Sequence, residues 1–249
     1  MTIDSLISMN NVTLAYDRHP AIHHVSGDFV RGSLTAVIGP NGSGKSTLVK
    51  TIVGLIRPVE GRLQIHGINH RDIAYLPQVT NIDDSFPISV EDVVLFGLWR
   101  RTGAFCKITR SMCEEASQSL YTVGLEGFEK RAFSSMSAGQ RQRVLFARVL
   151  VVDSQLILLD EPFNSIDSRT INDLIQLIEH WHYEGRTVIA VLHDYDQVRK
   201  YFPESLLLAR ELIAWGVTKN VLTSANLSRA RAMSEAWSDD NLDVCHVGI

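Results

Sequence analysis

The residues best able to do chemistry lie in two short stretches. Gly39-Pro40-Asn41-Gly42-Ser43-Gly44-Lys45-Ser46 fits the spacing GxxxxGK[ST], after the apolar run Leu34–Ile38 and before the helical pattern Thr47–Leu55. A glycine-rich loop in that strand-to-helix setting turns its N–H groups onto phosphate oxygens, and the helix start adds partial positive charge. Lys45 is then placed to reach β- and γ-phosphates, and the Ser46 hydroxyl to bind Mg²⁺. The second stretch, Gln155-Leu156-Ile157-Leu158-Leu159-Asp160-Glu161-Pro162, is an apolar strand ending in two acids. Buried carboxylates are costly unless they meet a cation. Asp160 is therefore expected to hold Mg²⁺ through water, and Glu161 to orient or activate water that attacks the γ-phosphate. By itself, an Asp-Glu pair at a strand end is equally an ordinary loop cap.

These residues need a scaffold of buried strands and covering helices. Leu34–Ile38, Leu156–Leu159, Val188–Leu192 and Leu206–Ala209 are short apolar runs, the pattern of a mostly parallel sheet buried on both faces. Ile171, Leu174, Ile175, Ile178 and Trp181 give one apolar helical face, and Gly185 stops that helix. From Ser89 to Leu150 the periodicity is helical, at Val90–Leu98, Met112–Val123 and Gln140–Leu150. Val12–Tyr16 and Arg62–His66 read as strands of an N-terminal antiparallel part. The expected fold is α/β: a P-loop core of about residues 1–78 and 151–230, an inserted helical subdomain of about 79–150 and a C-terminal tail, 231–249. No internal repeat or linker divides the chain.

Composition narrows the class. At 249 residues, 45% hydrophobic, 21% charged and net charge −4, the chain reads as globular, with no basic surface for nucleic acid. Its apolar runs fall short of the ~20 residues needed to span a bilayer. Met1 to Met9 lacks a cationic start and a long apolar stretch, so no secretory signal is expected there. Cys106, Cys113 and Cys245 have no disulfide or zinc-ribbon spacing. His180 and His182 are two apart on a helix and point away from each other. Cys245-His246 supplies at most two ligands near a frayed end, too few for a stable zinc sensor unless Asp239, Asp240 and Asp243 complete the set.

Ser135-Met136-Ser137-Ala138-Gly139-Gln140-Arg141-Gln142-Arg143, a short way before the acidic strand, resembles the signature motif of ATP-binding cassette (ABC) ATPases. With the phosphate loop before it, Gln78 after Tyr75-Leu76-Pro77, and His193 after Val191-Leu192, the order matches that family along nearly the whole chain. Met136 replaces the usual leucine and Ala138 the usual first glycine. The resemblance implies ATP and Mg²⁺ as ligands, with ATP held by Tyr16, Gly39, Pro40, Asn41, Gly42, Ser43, Gly44, Lys45, Ser46, Thr47, Gln78, Asp160 and the segment Ser137, Ala138, Gly139 and Gln140. Within that set Ser46, Gln78 and Asp160 would hold Mg²⁺, and Glu161, His193 and Lys45 would be catalytic. Tyr16 would stack on adenine, and His193 would contact the γ-phosphate; alone, each reads as an ordinary core residue. Ser137 and the N–H groups at Gly139 would face the nucleotide of a second copy, sandwiching two ATP molecules. Asn164-Ser165-Ile166-Asp167 corresponds to the loop that couples the two sites.

Phe86-Pro87, Ser89-Val90-Glu91-Asp92-Val93-Val94, Glu161-Pro162-Phe163 and Leu206–Leu227 resemble the ATPases of bacterial zinc, manganese and iron importers. That implies partners: a transmembrane permease docking beside the glutamine loop, at the cytoplasmic face of the inner membrane, and an extracytoplasmic metal-binding protein. Zinc is favoured as cargo, then manganese. The alternatives are an iron–sulfur assembly ATPase or the ATPase of an iron-chelate importer.

Overall fold

The computed structural model describes residues 4–16, 19–78, 87–99, 103, 107–164 and 166–243. In chain order the strands are β1 (Ser5–Tyr16), β2 (His19–Val30), β3 (Leu34–Ile38), β4 (Glu60–Ile65), β5 (Ile73–Leu76), β6 (Leu156–Asp160), β7 (Thr187–Val191), β8 (Glu204–Ala209) and β9 (Glu211–Val217). The chain forms two compact units, Met1–Gly67 with Ile189–Ile249, and Ile68–Val188.

In the first unit β1 lies between β2 and β4, antiparallel to both, so the expected antiparallel part is present. Leu6, Ile7, Val12 and Leu14 of β1 are fully buried. Its register shifts between Met9 and Val12, where Asn11 takes a left-handed φ of 52°. An extra residue there bulges the strand, and asparagine tolerates that backbone well. The second sheet of this unit runs β3-β8-β9, with Ile189–Val191 of β7 beside β3. All five residues of β3 are buried, and β3 pairs in parallel with β8, Ile38 facing Leu207. Parallel pairing explains the unbroken apolar run, because helices can cover both faces. β9 returns antiparallel along β8. Expected to be frayed from Arg231, the C-terminal segment is instead helical over Ser224–Asp243. Alanines at 225, 230 and 232 favour that state, and Ala230 is buried. Cys245 and His246 lie outside the described residues.

In the second unit β5 pairs in parallel with β6, from Ile73↔Leu156 to Leu76↔Leu159. The expected helices appear at Val90–Leu95, Arg110–Thr122, Ala138–Leu150 and Ser168–Tyr183. Ser89 starts the first through a reciprocal capping box with Asp92, satisfying two orphan backbone donors. On the last helix Leu174, Ile175, Ile178 and Trp181 are buried, and Trp181 stacks on Phe146 at 5.9 Å and 8°. Gly185, at φ 79°, follows its end. No helix among the described residues is long and apolar enough to cross a membrane.

Candidate functional site

The first unit holds the phosphate loop. Buried β3 delivers Gly39 at φ 148°, where an added Cβ would lie 2.0 Å from the Leu208 carbonyl oxygen. At Gly44, φ 93°, a Cβ would lie 2.4 Å from Ile22 Cγ1 and 2.6 Å from the Ala21 oxygen. Both positions therefore exclude every other residue, by contact and by backbone conformation. Gly44 caps the Lys45–Val53 helix without a side-chain hydrogen bond, and no acid occupies its first turn. A helix start left so suits an anion. Lys45 is only 5% exposed, and its ammonium donates to the carbonyls of Gly39 (3.0 Å) and Pro40 (2.8 Å). Ser43 and Thr47 are buried, Pro40 and Ser46 half-buried, Asn41 and Gly42 exposed. These residues share one turn, as the motif requires.

His193, also in this unit, follows β7 and is exposed, which removes the core-histidine reading. The preceding Leu192 N–H donates to the Val37 carbonyl (3.1 Å), and Asp194 caps the next helix through the N–H groups of Asp196 and Gln197. Tyr16 closes β1; the expectation for its ring lies outside the described residues.

The second unit carries the acids. β6 is buried throughout and ends at Asp160, 1% exposed. Glu161 then takes a left-handed φ of 52°, rare for a non-glycine residue and a mark of local constraint. Its Oε2 accepts from Gln78 Nε2 (2.6 Å) and from Asn164 Nδ2. The Pro162 carbonyl accepts from Gln142 Nε2 (2.6 Å), tying the acidic turn to the signature helix. The structure thus joins Gln78, Glu161 and the signature helix in one network. Sequence reasoning placed Asn164 in the coupling loop and Gln142 in the signature motif but missed these contacts of theirs. Only the spacing of Asn164, three residues after Glu161, hinted at the first.

Ser137 caps the Ala138–Leu150 helix, accepting from the Gln140 N–H (3.3 Å), while Gln140 Oε1 accepts from the Ser137 N–H (3.1 Å). Ser137 and Ala138 are exposed. Met136 is 5% exposed, so the methionine fills the apolar seat of the usual leucine. A Cβ at Gly139 would sit 3.2 Å from Thr170 Oγ1 and 3.4 Å from Asp167 Oδ2. Asp167 caps the Ser168–Tyr183 helix, and donation by the Thr170 N–H, with lesser help from the Thr170 hydroxyl, holds its carboxyl below the ordinary aspartate range. A lowered native pKa contributes stability that is present above the unfolded pKa and lost as pH falls through the native one. Below about pH 4, Asp167→Asn should therefore lose less stability than the unmodified chain, in urea titrations between neutral pH and pH 2. An equal loss in both would show that the cap is not charge-dependent.

A separate cleft of about 230 Å³ in this unit is lined by Tyr75, Pro77, Phe96, Gly97, Arg148 and Val149 among others. Burial lowers the Arg148 pKa, and no ion-pair or hydrogen-bond partner for its guanidinium occurs among the described residues. Phe96 and Trp99 are about half exposed, with ring centres 5.5 Å apart. The docking residues expected at 79–86, with Ser165 and Cys106, lie outside the described residues. Cys113 is a free thiol whose pKa is raised by burial and then by Glu91. Among the described residues no three His, Cys, Asp or Glu side chains converge as a metal site.

Comparison with known proteins agrees with this geometry. Residues 22–164 match the family model described as ABC transporter. The manganese transport system ATP-binding protein MntB of Bacillus subtilis is 38% identical over 227 residues, 90% of this chain and 91% of that one. The zinc transport system ATP-binding protein TroB of Treponema pallidum is 36% identical over 228 residues, 90% and 86% of the two. Among solved structures, a protein described as a metal-chelate type ABC transporter, inward-facing, superposes with a TM-score of 0.81 at 32% identity, covering 90% of this chain and 88% of that chain. The dimeric ATP-binding cassette MJ0796, bound to ADP and Pi, gives 0.74 at 28% identity, covering 85% and 98%.

Proposed function

The chain belongs to the ABC transporter family, whose cassettes hydrolyse ATP, and on that premise we propose that it powers import of a divalent metal ion through a separate permease. One observation carries the hydrolytic part: the same chain holds a lysine-bearing glycine cradle and a glutamate fixed by two amide donors.

In this reading the N–H groups of Gly39–Ser46 and the Lys45 ammonium hold the β- and γ-phosphates, with Thr47 beside them. Lys45 exchanges its two loop carbonyls for phosphate oxygens. The deep burial of Asp160 suits a carboxylate that meets a cation. Ser46, Gln78 and Asp160 would hold Mg²⁺, which when bound neutralises phosphate charge. Glu161 accepts the proton of a water as its oxygen attacks the γ-phosphorus and the bond from that phosphorus to the β–γ bridging oxygen breaks, so that ADP leaves with the bridging oxygen and phosphate is released; His193 donates to the γ-phosphate. Tyr16 stacks on adenine. Ser137, Ala138, Gly139 and Gln140 begin a helix whose free N–H groups face the nucleotide of a second copy, so the working form is an ATP-sandwich homodimer.

The cargo rests on relatives whose names specify manganese and zinc. Sequence reading ranked zinc first. We propose manganese ahead of zinc on names alone, a manganese system standing at 38% identity and a zinc system at 36%. The permease seats at the cleft of Tyr75, Pro77, Phe96 and Arg148, at the cytoplasmic face of the inner membrane, and an extracytoplasmic protein delivers the ion. A desolvated guanidinium with aromatic neighbours fits an acidic side chain on an apolar segment. Arg148→Glu should cut co-purification with the permease at least tenfold, a factor worth about 1.4 kcal/mol, while ATP affinity stays unchanged. Equal recovery would remove Arg148 from the interface. The wider reading is tested by ATP-driven uptake of Mn²⁺, Zn²⁺ or an iron chelate into vesicles holding the complete transporter. Manganese uptake supports it; transport of the chelate alone, or association with a soluble scaffold instead of a permease, overturns it.

A further inference from the structure

Glu161 Oε2 receives two amide donors of different origin. Gln78 reaches it from the end of β5, 83 residues away in sequence, and Asn164 from the same turn, three residues on. We infer that Asn164 is a positioning residue that, by donating to Oε2, holds the Glu161 carboxylate in the orientation from which it takes the proton. The inference rests on the reading of Glu161 as the base.

Three features of the turn support this. Glu161 sits at φ 52°, so its side-chain direction departs from that of the extended strand before it. The Asn164 N–H also faces the Glu161 carbonyl (3.4 Å), so backbone and side chain of Asn164 both close back on the same residue. Gln142 holds the intervening Pro162 carbonyl at 2.6 Å, which fixes the turn from the signature helix. A donor three residues away on a turn anchored in this manner costs little ordering entropy. Gln78 differs: its amide is also the group assigned to Mg²⁺, and it stands on a separate segment. Asn164 moves with Glu161 whatever Gln78 does.

A residue that only shapes the turn is distinguished from a donor by an isosteric change. Asn164→Asp keeps the size and the turn-forming tendency but sets a carboxylate against Glu161. As expected of a positioning residue, kcat for ATP should fall about tenfold or more in both Asn164→Asp and Asn164→Ala, with KM within about twofold. A second readout needs no nucleotide. Asn164→Asp should lower the melting temperature of the free chain by about 2–4 °C. Adding Glu161→Gln to the same chain should restore it, because the amide introduced by the second substitution donates to the carboxylate introduced by the first. Wild-type kcat in Asn164→Asp, or additive shifts in the melting cycle, would overturn the inference. If Glu161→Gln alone still hydrolyses ATP, the base assignment fails while the melting cycle continues to report on the pair.

Discussion

Glu161→Gln lowers ATP turnover by at least about a hundredfold while ATP affinity stays within a factor of about two, the size expected when a general base is removed. The reason lies in the two oxygens of Glu161. Gln78 and Asn164 both donate to Oε2, and the amide oxygen of a glutamine can still accept from both. The turn is therefore kept, while the second carboxylate oxygen becomes an amide that cannot take a proton from water. In the proposed reading binding is carried by the phosphate loop, which the substitution leaves untouched. With hydrolysis blocked, the ATP-bound dimer should persist. Size-exclusion chromatography with and without Mg-ATP, beside a phosphate-release assay, reads both effects. Release near the wild-type rate would mean that another group accepts the proton.

Lys45→Ala has the other large effect, on binding. The ammonium is 5% exposed and donates to Gly39 and Pro40, so the loop itself fixes its position. Each charge-assisted hydrogen bond it would make to phosphate contributes roughly 1.5–3 kcal/mol, less the two carbonyl bonds given up. A net loss of about 1.4 kcal/mol is already tenfold in affinity. Nucleotide titration of the folded variant, its fold checked by circular dichroism, should show at least that weakening. Unchanged affinity would refute the assignment of this loop to phosphate. The variant also leaves the Gly39 and Pro40 carbonyls without the lysine, so a modest fall in melting temperature accompanies it.

Much of this was legible in the chain because the signals are local. The phosphate loop needs φ values of 148° at Gly39 and 93° at Gly44, and only glycine adopts both without strain. Ser137 with Gln140, three residues on, announces the start of the signature helix by a box that closes within one turn. The acids at the end of β6 were readable because an apolar run ending in Asp-Glu is costly without a purpose. The tail beyond Arg231 misled, since composition near a terminus suggested fraying while its alanines sustain a helix to Asp243.

What tertiary structure alone decided involves partners distant in sequence. That Gln78 meets Glu161 depends on β5 lying parallel to β6 in the register Leu76↔Leu159. A slip of one residue there would turn Gln78 to the other face. The close approach of the Leu208 carbonyl to Gly39, which leaves no room for a Cβ, follows likewise from pairing of β3 with β8. Exposure of His193, the desolvation of Arg148 and the seat of Met136 are properties of packing that no residue carries by itself. Sequence by itself determined which groups could do the chemistry, because residue type and short spacing set local backbone and charge. Tertiary structure decided that Gln78 holds the Glu161 carboxylate, because hydrogen-bond partners across 83 residues are chosen by strand register and not by either residue's identity.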